Sequence, residues 1–135
     1  MLTVKAHAKP SPINGLGLFA DEKIPKGTII WKFDSQFDII FDSKEVATMS
    51  KEKQDFLDRY AYVSKESGKL VCSIDDSRFT NHSAKNPSIG IIPMLGETEK
   101  CFCALRDIEI GEELIINYRL LDACDENGKD AYLDS

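Results

Sequence analysis

The chain has no apolar run approaching the roughly 18 residues that a membrane-spanning helix requires. Residues 1–10 hold no apolar stretch of the kind that forms the heart of a signal peptide. The expectation is therefore an intracellular protein, cytoplasmic or nuclear, working in a host nucleus if the chain is viral or a bacterial effector, and with no membrane partner. Cysteine and histidine are scarce, at four and two residues. Cys72, Cys101, Cys103 and Cys124 contain no C-x-x-C pair, and two histidines are too few to complete the usual zinc sets. No metal site is expected, and the thiols are read as reduced structural groups. Basic charge is short too: 17 Lys and Arg stand against 23 Asp and Glu, for a net charge of −6. Direct nucleic-acid binding needs a basic footprint and is not expected. The acidity suits either a lysine-rich partner or plain solubility. Linkers, low-complexity segments and repeats at solenoid periods are missing.

What is there is a globular composition, 42% apolar and 30% charged over 135 residues, enough for one domain with one core. Most of it reads as short strands: 29–33, 37–41, 70–74, 89–92, 100–105 and 114–118. Asp34-Ser35-Gln36 reads as a hairpin turn between the first two. One helical stretch lies between about Asp42 and Tyr62, with Asp42 and Glu45 resembling a capping box and Ser50 a second start. The fold class is mainly β, α+β, with a short helical insert. Residues 21–30 and 106–116 echo one another, each reading Ile-x-x-Gly before an apolar strand. The glycine suits a turn residue with positive φ. From Asp122 onward the chain carries Asp122, Asp125, Glu126, Asp130 and Asp134 against Lys129.

Three blocks carry chemistry. Asn14-Gly15-Leu16-Gly17-Leu18 places two glycines where backbone can approach a ligand, although taken alone the segment is better explained as a tight turn. Asn81-His82-Ser83 lies in a polar, turn-prone stretch. An Asn amide donates and accepts at once and can grip a nucleotide-like cofactor, whereas a lone His is as often a structural hydrogen-bonding residue. Tyr118 ends the last strand, where an aromatic is usually core but its hydroxyl can serve as a hydrogen-bonding group or weak base.

In order and spacing, Gly15-x-Gly17-Leu18-Phe19, the Ile-x-x-Gly turn, Cys72-Ser73-Ile74-Asp75, Arg78-Phe79-x-Asn81-His82-Ser83, Arg106-Asp107-Ile108 and Gly111-Glu112-Glu113-Leu114-x-x-x-Tyr118 together resemble a SET domain, the fold of protein lysine methyltransferases. The resemblance runs over about 13–118 of a single domain spanning 1–135. It implies several small sheets with a knot-like crossing near the C-terminus, S-adenosylmethionine as cofactor, and transfer of methyl to a lysine of a basic protein such as a histone tail. Gly15, Leu16, Gly17, Asn81 and His82 would hold the cofactor. Tyr60 matches a position beside it, although Tyr62 competes for that place. Tyr118 matches the catalytic tyrosine. Trp31, Phe33, Tyr62 and Phe102 are candidates for the lysine channel, with core packing the alternative for each.

The lysine nitrogen must be neutral to attack, and at pH 7 deprotonation costs about 4–5 kcal/mol unless the site lowers its pKa; an apolar channel does so by desolvation. The pattern also departs from the family. Ala84-Lys85-Asn86-Pro87-Ser88 has one extra residue and a Ser where Asn is usual. Trp31-Lys32-Phe33-Asp34 replaces a Tyr-x-Gly-Glu. No cysteine-rich module follows Tyr118, so the tail 119–135 around Ala131-Tyr132-Leu133, or a second subunit in a homodimer, is expected to cover the site. The competing reading is a catalytically silent SET-fold module that binds a peptide or partner; the intact Asn81, His82 and Tyr118 favour the enzyme.

Overall fold

Two isoleucines far apart in the chain tie its ends into one sheet. Ile24 and Ile108 exchange both backbone hydrogen bonds, each 2.8 Å. Around them the bonds repeat with near two-fold symmetry. Gly27 N–H donates to Ala104 and Ala104 N–H to Thr28; Gly111 N–H donates to Ala20 and Ala20 N–H to Glu112. Gly27 and Gly111 turn the chain at φ +86° and +88°, a left-handed conformation that side-chain-bearing residues resist. The echo seen in the sequence is thus a pair of turns facing one another.

A computed structural model describes residues 1–121. Its strands are β1 (Ala6–Pro10), β2 (Leu16–Ala20), β3 (Ile29–Trp31), β4 (Asp38–Phe41), β5 (Tyr62–Val63), β6 (Leu70–Ser73), β7 (Asn81–His82), β8 (Ile89–Ile92), β9 (Cys101–Ala104) and β10 (Glu113–Ile116), with helices α1 (Ser43–Val46) and α2 (Lys51–Tyr60) between β4 and β5. One sheet runs β1-β2-β10-β8-β9-β3, with β7 also on β10; the second runs β4-β6-β5. This is the mainly β arrangement expected, with few helices. Among the described residues no helix is long and apolar enough to cross a membrane. Cys124, the acidic residues from Asp122 and Ala131-Tyr132-Leu133 lie outside the described residues.

The core collects Leu18, Ile24, Ile30, Trp31, Ile89, Ile108, Leu114 and Ile116, each such side chain contributing roughly 1.5–3 kcal/mol when fully buried. All four residues of β9 are buried, as befits a strand covered on both faces. Cys72, Cys101 and Cys103 are buried free thiols, and burial pushes the Cys72 and Cys101 thiols up.

Several local expectations are corrected. Residues 29–41 do not form a hairpin: β3 pairs with β9, and β4 with β6. The turn exists, since Asp34 carbonyl accepts from Phe37 and Asp38 N–H, but the strands part after it. The reason is the buried carboxylate of Asp38, which accepts from the Met1 ammonium at 2.6 Å, from Asp34 N–H at 2.7 Å and from the Ser73 hydroxyl, fastening β4 to β6. The helical stretch divides in two, and Ser50 caps α2 through Lys53 N–H. Asp42 caps α1 through Lys44 N–H, one residue short of the capping-box position. Asn81-His82 is a buried strand parallel to β10, not a turn. The last strand stops at Ile116, and Tyr118 opens a 3-10 turn, Tyr118–Leu120, capped by the Asn117 side chain. Ile116 pairs with both His82 and Ile89, so β10 enters between the two ends of segment 83–88, where a knot-like crossing was expected. Ser88 secures that segment: its N–H donates to Ile115 carbonyl and its hydroxyl accepts from Ile115 N–H at 3.0 Å.

Candidate active site

Two recesses meet at Tyr118. The larger, about 770 Å³, is walled by Asn14, Gly15 and Leu16 on one side and Asn81, His82 and Tyr118 on the other. The smaller, about 140 Å³, is walled by Trp31, Tyr62, Phe102, Thr80, Leu121 and Tyr118. Asp58, Arg59, Tyr60 and Arg78 border both.

Tyr118 is fixed from two directions. Its N–H donates to Nδ1 of His82 at 2.9 Å, and its hydroxyl donates to the carbonyl of Thr80. A backbone N–H pointing at Nδ1 requires a lone pair there, which places the proton of the neutral ring on Nε2. The rings of His82 and Tyr118 lie 5.1 Å apart at 45°. Asn81 and His82 are only 8% and 9% exposed. Asn81 Nδ2 donates toward Glu113 Oε1 at 2.9 Å and the carbonyls of Leu16 at 3.1 Å and Asn14 at 3.2 Å, joining the Asn-His strand to the glycine-bearing loop.

The smaller recess is aromatic. Trp31 and Phe102 stack with centroids 4.8 Å apart, and Trp31 Nε1 donates to Ser73 Oγ at 3.2 Å, which orients the indole across the two sheets. Tyr62 donates its hydroxyl to Glu99 Oε1 at 3.1 Å, and Ser64 donates to the other carboxylate oxygen at 3.0 Å. Burial, and then the neighbouring Glu99 charge, push the Tyr62 hydroxyl well above the ordinary tyrosine range, so it stays a donor. Tyr60 packs edge-on to Phe79 at 5.5 Å.

Of the residues singled out from sequence, Gly15, Leu16, Tyr60, Asn81, His82 and Tyr118 come together around the larger recess, and Trp31, Tyr62 and Phe102 around the smaller. Tyr60 touches both recesses and Tyr62 only the smaller. Gly17 lies behind the wall, facing Glu113, and Phe33 packs against the main core. Sequence reasoning passed over Glu99, Thr80, Arg78 and the role of Glu113. Glu113 had a signal, since it lies inside a quoted motif. Glu99 had none, because Gly96-Glu97-Thr98-Glu99-Lys100 reads as an exposed polar loop. Among the described residues no group of three or more His, Cys, Asp or Glu is placed to hold a metal ion.

A model of the SET domain matches residues 15–119. No curated protein sequence matches the chain. Among solved structures, a Plasmodium falciparum protein assigned as a histone methyltransferase superimposes with a TM-score of 0.57 at 20% identity, over 85% of this chain and 93% of that one. A humanized mutant of the Chaetomium thermophilum Polycomb Repressive Complex 2, bound to the inhibitor GSK126, superimposes with a TM-score of 0.66 at 22% identity, over 91% of this chain and 16% of that one. At these identities the likeness is one of fold.

Proposed function

This chain belongs to the SET domain family, and from that premise we propose that it is a protein-lysine N-methyltransferase that uses S-adenosylmethionine. The observation that carries the reading is the meeting of an open recess and a narrow aromatic one at Tyr118, which lines both. The residues present fit the cofactor. The larger recess falls within the size range of cofactor sites, and Gly15 puts no side chain into its own part of the wall. Arg78 borders both recesses and brings a permanent positive charge there, suited to a carboxylate. Gly15, Leu16, Tyr60, Asn81 and His82 would hold the cofactor. When bound, it supplies an electrophilic methyl group.

The chain's own residues do the rest. Trp31, Tyr62 and Phe102 surround a lysine side chain with apolar surface, which disfavours the ammonium and lowers the cost of about 4–5 kcal/mol for making a neutral amine. The Tyr118 hydroxyl has committed its proton to Thr80 carbonyl. Its oxygen therefore faces the amine as an acceptor, orienting the nitrogen lone pair, and a backbone carbonyl gives it no route to act as a base. Holding the amine in line with the methyl donor, with that oxygen beside the nitrogen, would be an entropic contribution.

A lysine-rich protein such as a histone is the substrate class we propose. Leu121 lines the smaller recess, and the sequence that follows it carries five acids against Lys129, a source of attraction for a basic peptide and a means of covering the site. A second copy of the chain in a homodimer is the other way to cover it.

The test is calorimetric titration of the full chain with S-adenosylmethionine beside Asn81→Ala, followed by transfer of labelled methyl to histones and lysate proteins. Binding that Asn81→Ala measurably weakens, with labelled lysine in a product, supports the reading. A well-folded protein that binds peptide but neither binds the cofactor nor transfers methyl makes it a silent binding module instead.

A further inference from the structure

Gly17 sits within β2, where no turn calls for glycine; space does. A Cβ at Gly17 would lie 1.9 Å from Glu113 Oε1 and 2.9 Å from Ser11 Cβ. Only a residue without a side chain lets the Glu113 carboxylate reach across β2.

What it reaches is Asn81. Oε1 is the same atom that accepts from Asn81 Nδ2 at 2.9 Å. The other two neighbours of Nδ2 are the carbonyls of Leu16 and Asn14. All three partners are acceptors, so the nitrogen must face them, and Oδ1 is the amide atom left for other company. A flipped amide would set its oxygen against three others. Of the three acceptors the carboxylate makes the strongest bond, since charge assistance roughly doubles a hydrogen bond.

We propose that Glu113 is a positioning residue for the cofactor recess: reaching through the space left by Gly17, it locks the Asn81 amide and, with it, the Asn14–Leu16 wall. The second glycine of the motif then serves the carboxylate behind the wall, not a ligand in front of it. This rests on the reading that the recess holds S-adenosylmethionine.

The experiment is calorimetric binding of S-adenosylmethionine to the full chain and to E113Q, E113A, N81A and the E113A/N81A double variant, each first checked for a cooperative melt. E113Q keeps an oxygen where Oε1 lies and should bind within about twofold of wild type, whereas E113A should bind about tenfold more weakly, the worth of one lost charge-assisted bond. Because Glu113 acts through Asn81, adding E113A to N81A should weaken binding no further. A purely structural role would lower melting temperatures without that coupling. The inference falls if E113A binds as wild type does, or if the two losses multiply in the double variant. If E113A does not melt cooperatively, E113D, which shortens the arm by one methylene, is judged by the same criteria. Wild type that binds no S-adenosylmethionine overturns the cofactor reading and this inference with it; wild type that binds, beside an indifferent E113A, overturns this inference alone.

Discussion

His82 accepts the backbone N–H of Tyr118 through Nδ1 at 2.9 Å, while the Tyr118 hydroxyl returns to the carbonyl of Thr80. The tyrosine is thereby held from both ends by residues 80–82, which include Asn81 and line the larger recess.

Tyr118→Phe removes only the oxygen. Cofactor affinity should stay within about twofold, since the hydroxyl's bond is to Thr80, whereas the rate of methyl transfer should fall about a hundredfold, the scale for losing one preorganised polar group at a reacting centre. Calorimetry beside a labelled-methyl assay separates the two. Equal rates in the two proteins would remove Tyr118 from the chemistry.

The Tyr62 hydroxyl is raised in the fold by burial first and by Glu99 second, whereas an unfolded tyrosine ionises near about pH 10. The folded-state value is the higher one, so this contribution to stability is fully present below about pH 10 and is lost as pH rises beyond it. Denaturant midpoints should decline steeply on the alkaline side in wild type and more gently in Tyr62→Phe. Parallel declines would show that the hydroxyl is not held protonated.

Gly27→Ala and Gly111→Ala should each cost about 1–2 kcal/mol, the strain of a left-handed backbone for a residue with a Cβ. Neither position has an atom within 4 Å of the added carbon, so strain is the whole effect, and the two losses should agree within experimental error. Clearly unequal losses in chemical denaturation would mean that the two turns are not equivalent.

If the acids beyond Leu121 attract a basic substrate, raising ionic strength should raise KM for a lysine-rich peptide while leaving cofactor affinity nearly constant, because screening acts on exposed, long-range charge. A KM indifferent to salt would leave recognition to the aromatic recess.

Much of this was legible in the sequence where the signal was local. The Ile-x-x-Gly turns, strands β8 and β9, the second helix start at Ser50 and the order of the motif blocks all rest on neighbouring residues. What was not legible depended on pairing across distance. Residues 29–41 carry every local sign of a hairpin, yet a buried carboxylate at Asp38 draws the second strand into another sheet. Asn81-His82 is polar and short, and only its parallel partner β10 makes it a strand. Glu99 is 3% exposed inside a loop whose composition reads as solvent-facing. Gly17 carries the signal of a ligand-approach glycine, and only the fold shows the Glu113 carboxylate filling the space a side chain there would take. In each case a side chain's partner lay more than thirty residues away, beyond the reach of periodicity or propensity.

The facing turns at Ile24 and Ile108 also govern when this protein can fold. As the chain is synthesised, β1 and β2 emerge early and can form their hairpin, but a lone two-stranded hairpin is marginal in water. Its sheet neighbour β10, and the turn that mirrors its own, are made last. The central sheet therefore cannot close until nearly all of the described chain has left the ribosome, and the apolar face of β2 waits exposed meanwhile. Pairings so distant in sequence make for slow closure, and a waiting apolar edge is where chains associate wrongly.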